Sequence, residues 1–326
     1  MNAWPKTLQE ATVYFSDTDN CVAFLVTQRW PDGVVVCPTC GRADAAYIPS
    51  RRLWQCKTRH PKCQFSVKVG TIFEDSPIGL DKWLMAMWMV ANCKNGVSSY
   101  EIHRDLGVTQ KTAWFMLHRI RLTMQEDEFS CKLGGNGPVE MDETFIGGKI
   151  KNMHKAKKPK PLANRTKRLS GIIGKTIVVG MLERNGRVKA EVVMDRTSAT
   201  LHALADKHIL SGSTLITDEH GGYNGTDFEH QVINHANEYV NGLIHTNGIE
   251  NFWSLLKRGL NGTYVSVEPF HLFRYIDEQA FRYNNRATPN NPLNDADRFA
   301  LTVSQVVRRR ITYKELTGKL DQPRPF

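Results

Sequence analysis

Residues 139–149 read Val139-Glu-Met-Asp-Glu-Thr-Phe-Ile-Gly-Gly-Lys149, and this stretch decides the fold prediction. Its apolar residues predict a β-strand that carries Asp142 within it. A carboxylate inside a core strand is costly unless a partner or a bound cation compensates for its lost hydration. The strand is followed by alternating strand and helix patterns, so we predict a mixed α/β fold with a cation site on its sheet.

Short strands are predicted at 34–36, 53–55 and 65–69, and a Gly-rich linker is predicted at 131–138. A hairpin over 176–183 and 187–194 is indicated by the Asn185-Gly186 turn. Further strands are predicted at 214–217 and 228–234. Helices are predicted over the first 30 residues as a leader and over 198–210, 247–258 and 268–285.

Two more acids stand at the ends of predicted elements. Asp218 ends the strand Leu215-Ile-Thr-Asp218, and Glu250 opens the helix over residues 247–258. Three carboxylates that converge on one point would hold Mg²⁺, which takes oxygen ligands and activates a nucleophile at a phosphate. Each acid also has a plainer interpretation. Asp142 and Asp218 could be strand-end turn residues, and Asn247-x-x-Glu250 resembles a helix capping box.

The helix predicted over 247–258 separates a polar face from an apolar one. Lys257 follows Glu250 by seven residues, which at about 100° per residue returns it to within about 20° of the same face. The opposite stripe is apolar and consists of Ile249, Phe252, Trp253 and Leu256. A face with Glu250 near a metal and Lys257 two turns further along suits a DNA backbone.

A second candidate metal site lies near the N-terminus. Cys37-Pro-Thr-Cys40 is a Cys-x-x-Cys motif, and Cys56 follows after 15 residues. Zinc takes four tetrahedral nitrogen or sulfur ligands, and a domain this small needs such a metal for stability. Two residues compete for the fourth position, His60 after three intervening residues and Cys63 after six. The alternative is that these cysteines are buried or incidental.

Residues 80–124 show helical periodicity and predict a helix-turn-helix. One helix begins at Ser98 or Ser99, a turn follows at 105–108, and a third helix runs from about 109 to 121. That third helix offers polar side chains for phosphates and base edges in a major groove, among them Lys111, Arg119 and Arg121. The alternative is a helical hairpin that has no role in DNA binding.

Charge and composition indicate a polyanionic partner, either nucleic acid or an acidic membrane surface, and a chain without a membrane span. The 326 residues contain 43 Lys and Arg against 33 Asp and Glu, and the net charge of +10 favours a polyanionic partner. The longest apolar run, nine residues over 83–91, is shorter than the roughly 20 that cross a bilayer. Residues 1–10 lack the apolar segment of a signal peptide, so we expect a cytoplasmic protein whose seven cysteines stay reduced.

Residues 149–168 form a strongly basic segment between two predicted strands. They contain nine Lys and Arg and no acid, and a block of this kind is usually disordered until it meets a partner. We expect the segment to bind DNA phosphates. The cations of this segment that we predict to contact DNA are Lys157, Lys158, Lys167 and Arg168.

Taken together, these motifs resemble those of bacterial insertion-sequence transposases of the DDE type, which join an N-terminal zinc ribbon to a ribonuclease H-like core. The resemblance extends over most of the chain. The matching stretches are 37–41, 64–75, 141–149, 217–223 and, as the most specific, His245-Thr-Asn-Gly-Ile-Glu-Asn-Phe-Trp-Ser-Leu-Leu-Lys-Arg258.

The resemblance implies residue roles and a reaction. It makes Asp142, Asp218 and Glu250 the triad that binds Mg²⁺ or Mn²⁺. It makes Asn247 an auxiliary residue, and Lys257 and Arg258 contacts to DNA. The implied reaction is cleavage at the terminal inverted repeats of the element, followed by strand transfer into target DNA. Two ends must be held together, so we expect a homo-oligomer associated with the nucleoid.

The expected domains are a leader helix and zinc ribbon over 1–75, a helix-turn-helix region over 76–130, a ribonuclease H-like core over 131–290 and a C-terminal tail over 291–326. Two other functions compete with transposition. The first is a catalytically idle DNA-binding regulator, against which the intact acid triad argues. The second is a nuclease on the same fold, which would cleave DNA without joining it.

Overall fold

The computed structural model describes residues 4–126, 131–148, 174–233, 245–289 and 291–318. The chain forms two compact units. The first comprises residues 1–125 and 285–324, and the second comprises residues 126–284 together with 325–326. Among the described residues, no helix combines the length and the apolar character that a membrane span requires.

The first unit begins with two helices where the sequence predicted one leader helix. They are α1 (Leu8–Phe15) and α2 (Thr18–Arg29), and the Asp17 side chain caps α2 by accepting a hydrogen bond from the Asp19 N–H. An antiparallel three-stranded sheet follows, with β1 (Ala46–Ile48), β2 (Leu53–Gln55) and β3 (Gln64–Phe65).

Two strand predictions near the cysteines are wrong. Residues 34–36 form no strand, although a Val-Val-Val run has high β propensity. The strand predicted over 65–69 ends at Phe65, because the chain then enters turns in which the Val69 N–H bonds to the Ser66 carbonyl. Local β propensity was outweighed at both places, since strand propensity depends strongly on the tertiary context.

The helices and the turn of the predicted helix-turn-helix are confirmed. After α3 (Leu80–Asn92), helix α4 (Ser99–Leu106) begins with a capping box of Ser98 and Glu101. It ends at Gly107, whose φ of 59° lies in the left-handed region that glycine adopts without strain. Helix α5 (Gln110–Thr123) follows at once, with Thr109 as its N-cap.

Residues beyond 290 contribute to the core of the first unit. Helix α9 (Asp295–Ser304) packs on α3, and a short helix α10 (Tyr313–Leu316) follows. The Phe299 ring of α9 stacks on Phe24 at 5.4 Å between centroids and lies 5.0 Å from Trp88. The segment predicted as a C-terminal tail therefore carries part of the apolar core.

The second unit contains the predicted mixed sheet. Its strands are β4 (Val139–Ile146), β5 (Thr176–Glu183), β6 (Val188–Val193), β7 (Thr214–Thr217) and β8 (Glu229–Val232). The order across the sheet is β6-β5-β4-β7-β8, antiparallel from β6 to β4 and parallel from β4 to β8. This arrangement is a ribonuclease H-like core, and the predicted hairpin between β5 and β6 is confirmed.

Helices cover both faces of this sheet. They are α6 (Ser198–His208), α7 (Asn247–Arg258) and α8 (Leu272–Asn284). Val139 and Met141 belong to the apolar cluster that contains α6 residues, whereas Val178 and Leu182 belong to the cluster formed with α7 and α8. The apolar stripe predicted for α7 is buried as expected, and its members are Ile249, Phe252, Trp253 and Leu256.

Candidate functional site

The sheet brings Asp142 and Asp218 side by side. Strands β4 and β7 are parallel neighbours, and Val139 pairs with Leu215 as Glu140 pairs with Ile216. Two residues further along the same register, Asp142 lies opposite Asp218, the residue that follows the end of β7. Both side chains are half-buried, so this edge of the sheet concentrates negative charge in a poorly hydrated place.

The environment of Asp142 disfavours its charged form. Burial, with the nearby charges of Glu143 and Asp218, raises the pKa of Asp142 to about 7. A divalent cation between the carboxylates would reverse this effect, because it supplies the opposite charge that the site lacks. The donor set consists of carboxylate oxygens, which is the ligand type that Mg²⁺ and Mn²⁺ prefer.

Glu143, the next residue of β4, forms a hydrogen bond and an ion pair with its side chain. Its carboxylate accepts a hydrogen bond from the Tyr223 hydroxyl at 2.7 Å and pairs with Arg196 at 2.8 Å. Burial and the charge of Glu143 raise the pKa of Tyr223, so its hydroxyl remains a donor. Sequence reasoning missed this trio, since nothing in the local pattern links Arg196 or Tyr223 to the strand.

Helix α7 carries the other predicted site residues and contacts Asp142 through Trp253. Glu250, Asn247, Lys257 and Arg258 are all exposed on it. One turn after Glu250, the Trp253 indole N–H donates a hydrogen bond to Oδ2 of Asp142 at 2.9 Å. The helix that carries the third acid is thus attached directly to the first acid.

The capping-box alternative for Glu250 is not supported. Helix α7 starts at Asn247, its N-cap is Thr246, and Thr246 makes no side-chain capping hydrogen bond. One free N–H of the first turn bonds to the sheet, because Oε2 of the fully buried Glu140 accepts from the Ile249 N–H at 2.9 Å. Glu250 accepts from the Thr246 hydroxyl at 3.3 Å, but the capping box predicted from Asn247 is not formed.

The three acids do not converge as tightly as a metal cage would. Within the described ranges, the one set of three or more potential ligands whose atoms all lie within 4.8 Å of one another is the Cys/His group near the N-terminus. Asp142 and Asp218 influence each other electrostatically, whereas Glu250 is exposed on the helix and its Oε1 accepts a hydrogen bond from the Thr246 hydroxyl at 3.3 Å. Carboxylates repel one another at short range, which favours this spacing.

The predicted zinc site is assembled by the ribbon. Ligand atoms of Cys37, Cys40, Cys56 and His60 lie within 4.8 Å of one another, with 3.5 Å between Cys37 Sγ and His60 Nε2 and 3.5 Å between Cys40 Sγ and Cys56 Sγ. Cys63 does not belong to this set, although its carbonyl accepts the Cys56 N–H in the sheet. Three thiols and one imidazole match the donors that zinc prefers.

The orientation of His60 supports its role in this cluster. Its Nδ1 lies 2.7 Å from the Pro61 carbonyl and donates there, so Nε2 is the ring nitrogen that faces the thiols and would bind a metal. Imidazoles that bind metals are usually held by such a bond from the other ring nitrogen. This geometry favours His60 over Cys63 as the fourth ligand, and the assignment stays a prediction.

We expect His60→Ala to lose most of the bound zinc, whereas Cys63→Ser keeps about one zinc per chain. The physical reason is that His60 lies in the tetrahedral set and Cys63 lies outside it. Elemental analysis of the two purified variants against wild type measures the difference. Equal zinc in the His60→Ala protein and loss in the Cys63→Ser protein would reverse the assignment.

The structure corrects two predicted DNA contacts on α5. Arg119 and Arg121 are 4% and 1% exposed, so neither presents its guanidinium to a groove. Arg119 donates hydrogen bonds to the carbonyls of Ile72 and Glu74 instead. A helix of 14 residues that packs on its neighbours can expose only part of its surface, and here the exposed part is its N-terminal turn with Lys111.

The predicted contacts in the basic segment lie outside the described residues. Lys157, Lys158, Lys167 and Arg168 fall within 149–173. Their role in DNA binding stays a prediction.

Both units of the chain match families of known proteins. The family model for the ISXO2-like transposase domain matches residues 133–284, which is nearly the whole second unit, and the model for the transposase zinc-ribbon domain matches residues 16–64. An uncharacterized transposase-like protein of Haemophilus influenzae is 31% identical over 102 residues, covering 82% of that protein and 30% of this chain. The chain belongs to the ISXO2-like transposase family.

A longer alignment relates this transposase to a protein of a named mobile element. An uncharacterized protein in transposable element ISH50 of Halobacterium salinarum is 24% identical over 245 residues, which covers 72% of this chain and 80% of the relative. The protein is a DNA transposase, and its two matched domains imply DNA binding and a divalent metal. The zinc ribbon agrees with the Cys/His cluster.

Proposed function

We propose that this transposase cleaves DNA at the ends of its element and joins the freed 3′ ends to target DNA at one site. The proposed ligands of its catalytic metal are Asp142, Asp218 and Glu250. One observation carries the proposal: Asp142 on β4 lies beside Asp218 at the end of β7, where burial and the charges of Glu143 and Asp218 raise the pKa of Asp142 to about 7. Perturbed carboxylates of this kind are concentrated at functional sites.

When bound, Mg²⁺ or Mn²⁺ would activate the attacking oxygen and stabilise the charge that develops at the phosphodiester. The protein contributes the positions of the three carboxylates. Strands β4 and β7 hold two carboxylates next to each other, and α7 carries the third on a rigid helix attached to the first by Trp253. Most of the rate in phosphoryl transfer comes from such positioning and charge stabilisation.

Cations on several elements suit the DNA backbone. Lys257 and Arg258 extend from the last turn of α7, on the helix of Glu250, and are exposed. Lys111 is exposed in the first turn of α5, where a recognition helix meets base edges. We propose that the ribbon and α4–α5 recognise the terminal repeats, and that α7 and the basic segment 149–168 hold phosphates.

The proposal includes an assembly. Joining two ends requires that both be held at once, so a homo-oligomer is the expected active form. Its DNA substrate places it in the cytoplasm, at the nucleoid. The competing nuclease function predicts cleavage without joining, so an assay with precleaved ends that bear a 3′-hydroxyl separates the two.

We expect Glu250→Gln to reduce metal-dependent cleavage by at least about 100-fold and to leave folding and binding of the ends intact. The amide keeps the size of the side chain but removes the charge that a metal ligand needs, and α7 does not use Glu250 as a cap. Cleavage of a labelled duplex carrying the terminal repeat in Mg²⁺ measures the effect.

Glu268→Gln is the matched control, because Glu268 is an exposed acid in the same unit and stands outside the proposed site. Its cleavage rate should equal that of wild type. A Glu250→Gln protein that cuts at the wild-type rate would remove Glu250 from the site, and Asn247 would be the next residue to test.

A further inference from the structure

Two hydrogen bonds connect α7 to β4, one on each side of Glu250 in the sequence. The Ile249 N–H donates to Oε2 of Glu140 at 2.9 Å, and the Trp253 indole N–H donates to Oδ2 of Asp142 at 2.9 Å. Glu140 and Asp142 are alternate residues of β4 and therefore face the same side of the sheet. Both carboxylates of this strand face are thus engaged by the one helix that carries Glu250.

Glu140 holds α7 from inside the core and is not part of a surface ion pair. Its carboxylate is fully buried and accepts from Arg184 Nε at 2.9 Å as well as from the Ile249 N–H. The same guanidinium donates through Nη2 to the His245 carbonyl at 2.6 Å, two residues before the helix. The Glu140 carboxylate therefore binds the start of α7 directly, and it binds the segment that precedes α7 through Arg184.

Both contacts depend on glycine. A Cβ atom on Gly248 would lie 2.8 Å from Oε2 of Glu140, too close for any real side chain. A Cβ atom on Gly180, the β5 residue paired with Asp142, would lie 2.6 Å from the Trp253 ring. The glycines let the helix start approach Glu140 and let the indole reach across the sheet to Asp142.

We propose that Glu140 and Trp253 are positioning residues that set the register of α7 on β4, and so keep Glu250 on the part of the helix from which its carboxylate would close onto a metal shared with Asp142. The inference rests on the proposed function, since it assigns a purpose to the placement of those two acids. Neither residue contacts the reacting atoms. Each acts through a carboxylate or a helix of the metal site.

The geometry explains why two contacts are needed. A helix held at one point can pivot, whereas two bonds four residues apart fix both its rotation and its position along the axis, at about 1.5 Å per residue. Magnesium accepts ligands only near 2.0–2.1 Å, so a carboxylate that must close onto the metal needs a helix whose register does not drift by even roughly 1 Å. The indole bond also orients the Asp142 carboxylate by holding one of its oxygens.

The test compares Trp253→Phe with wild type. Phenylalanine keeps an aromatic ring in the core and removes the indole N–H. We expect half-saturation by Mn²⁺ to require about tenfold more metal, measured as the metal-dependent rise of the melting temperature, in the range usual for lost partners of metal ligands. Binding to the DNA ends should be unchanged.

Phe252→Leu is the packing control, because Phe252 is the neighbouring residue, is fully buried in the same core and makes no hydrogen bond to β4. It should lower the melting temperature without moving the Mn²⁺ half-saturation. If Trp253→Phe fails to fold, Glu140→Gln takes its place. Its amide oxygen can still accept from Ile249 but lacks the ion pair with Arg184, and a several-fold loss of Mn²⁺ affinity is expected.

Asp142→Asn separates this inference from the proposed function. If Asp142→Asn binds Mn²⁺ as well as wild type does, the metal site itself is wrong. If Asp142→Asn loses the metal response while Trp253→Phe, or Glu140→Gln in its place, responds like wild type, the site stands and the positioning role is overturned. A weakened response in the positioning variant that Phe252→Leu does not share supports the inference.

Discussion

Asp142→Asn is expected to lower metal-dependent cleavage of the terminal repeat by at least about 10³-fold, equivalent to about 4 kcal/mol of transition-state stabilisation. The amide keeps the shape of the side chain and an oxygen for the Trp253 N–H, but it loses the charge next to Asp218. Cleavage in Mg²⁺ and binding of the same duplex, measured side by side, separate a catalytic loss from a folding or binding loss.

The same substitution should stabilise the metal-free protein. Because the folded-state pKa of Asp142 is about 7 and its ordinary value is 3.8, the wild-type protein loses stability as the pH rises from about 4 through 7. Asparagine does not titrate, so the free energy of unfolding in EDTA should be higher for the variant at pH 8, by an amount on the order of 2–4 kcal/mol. Below pH 4 the two proteins should be nearly equal.

Added Mg²⁺ should reverse that ranking at pH 8, since it stabilises only the protein that retains the carboxylate. Asp195→Asn is a suitable control, because Asp195 is exposed in the same unit and holds a local turn through Thr197. A variant that is less stable than wild type in EDTA at pH 8 would contradict the argument from burial and like charge.

Arg119→Met is expected to lower the stability of the first unit by about 3–5 kcal/mol, with loss of DNA binding only as a consequence of unfolding. The buried guanidinium donates to the carbonyls of Ile72, Glu74 and Ile311, at 2.7, 2.9 and 3.2 Å. Methionine fills much of the volume but leaves three carbonyls without their donor, and each such loss is costly in a buried place. Chemical denaturation followed by tryptophan fluorescence measures the change.

Lys111→Met is the matched variant on the same helix. Lys111 is exposed, and its cation lies 4.7 Å from the centre of the Tyr313 ring, so removing it should cost less than about 1 kcal/mol. It should weaken DNA binding and reduce the salt dependence of that binding. If Arg119→Met is as stable as wild type and binds DNA weakly, the original prediction of a groove contact would be restored.

Local patterns in the sequence were enough for the elements that carry the chemistry. The strand around Asp142, the β5–β6 hairpin at Asn185-Gly186 and the buried stripe of α7 are all where the periodicity predicts them. Each depends on residues close together in the chain, where turn chemistry and the repeat of apolar positions act directly. The cysteine motif likewise marked the zinc ribbon, although it left the fourth ligand open.

Contacts between distant residues could not be derived in that way. The burial of Arg119 depends on which face of its helix the neighbours cover. The preference for His60 over Cys63 and the cap that Glu140 provides for α7 depend on contacts between residues far apart in the chain. Sequence alone therefore determined which residues could perform chemistry here. Only the tertiary structure decided which of them are exposed or meet, because burial and hydrogen bonding depend on packing across the fold and not on neighbours along the chain.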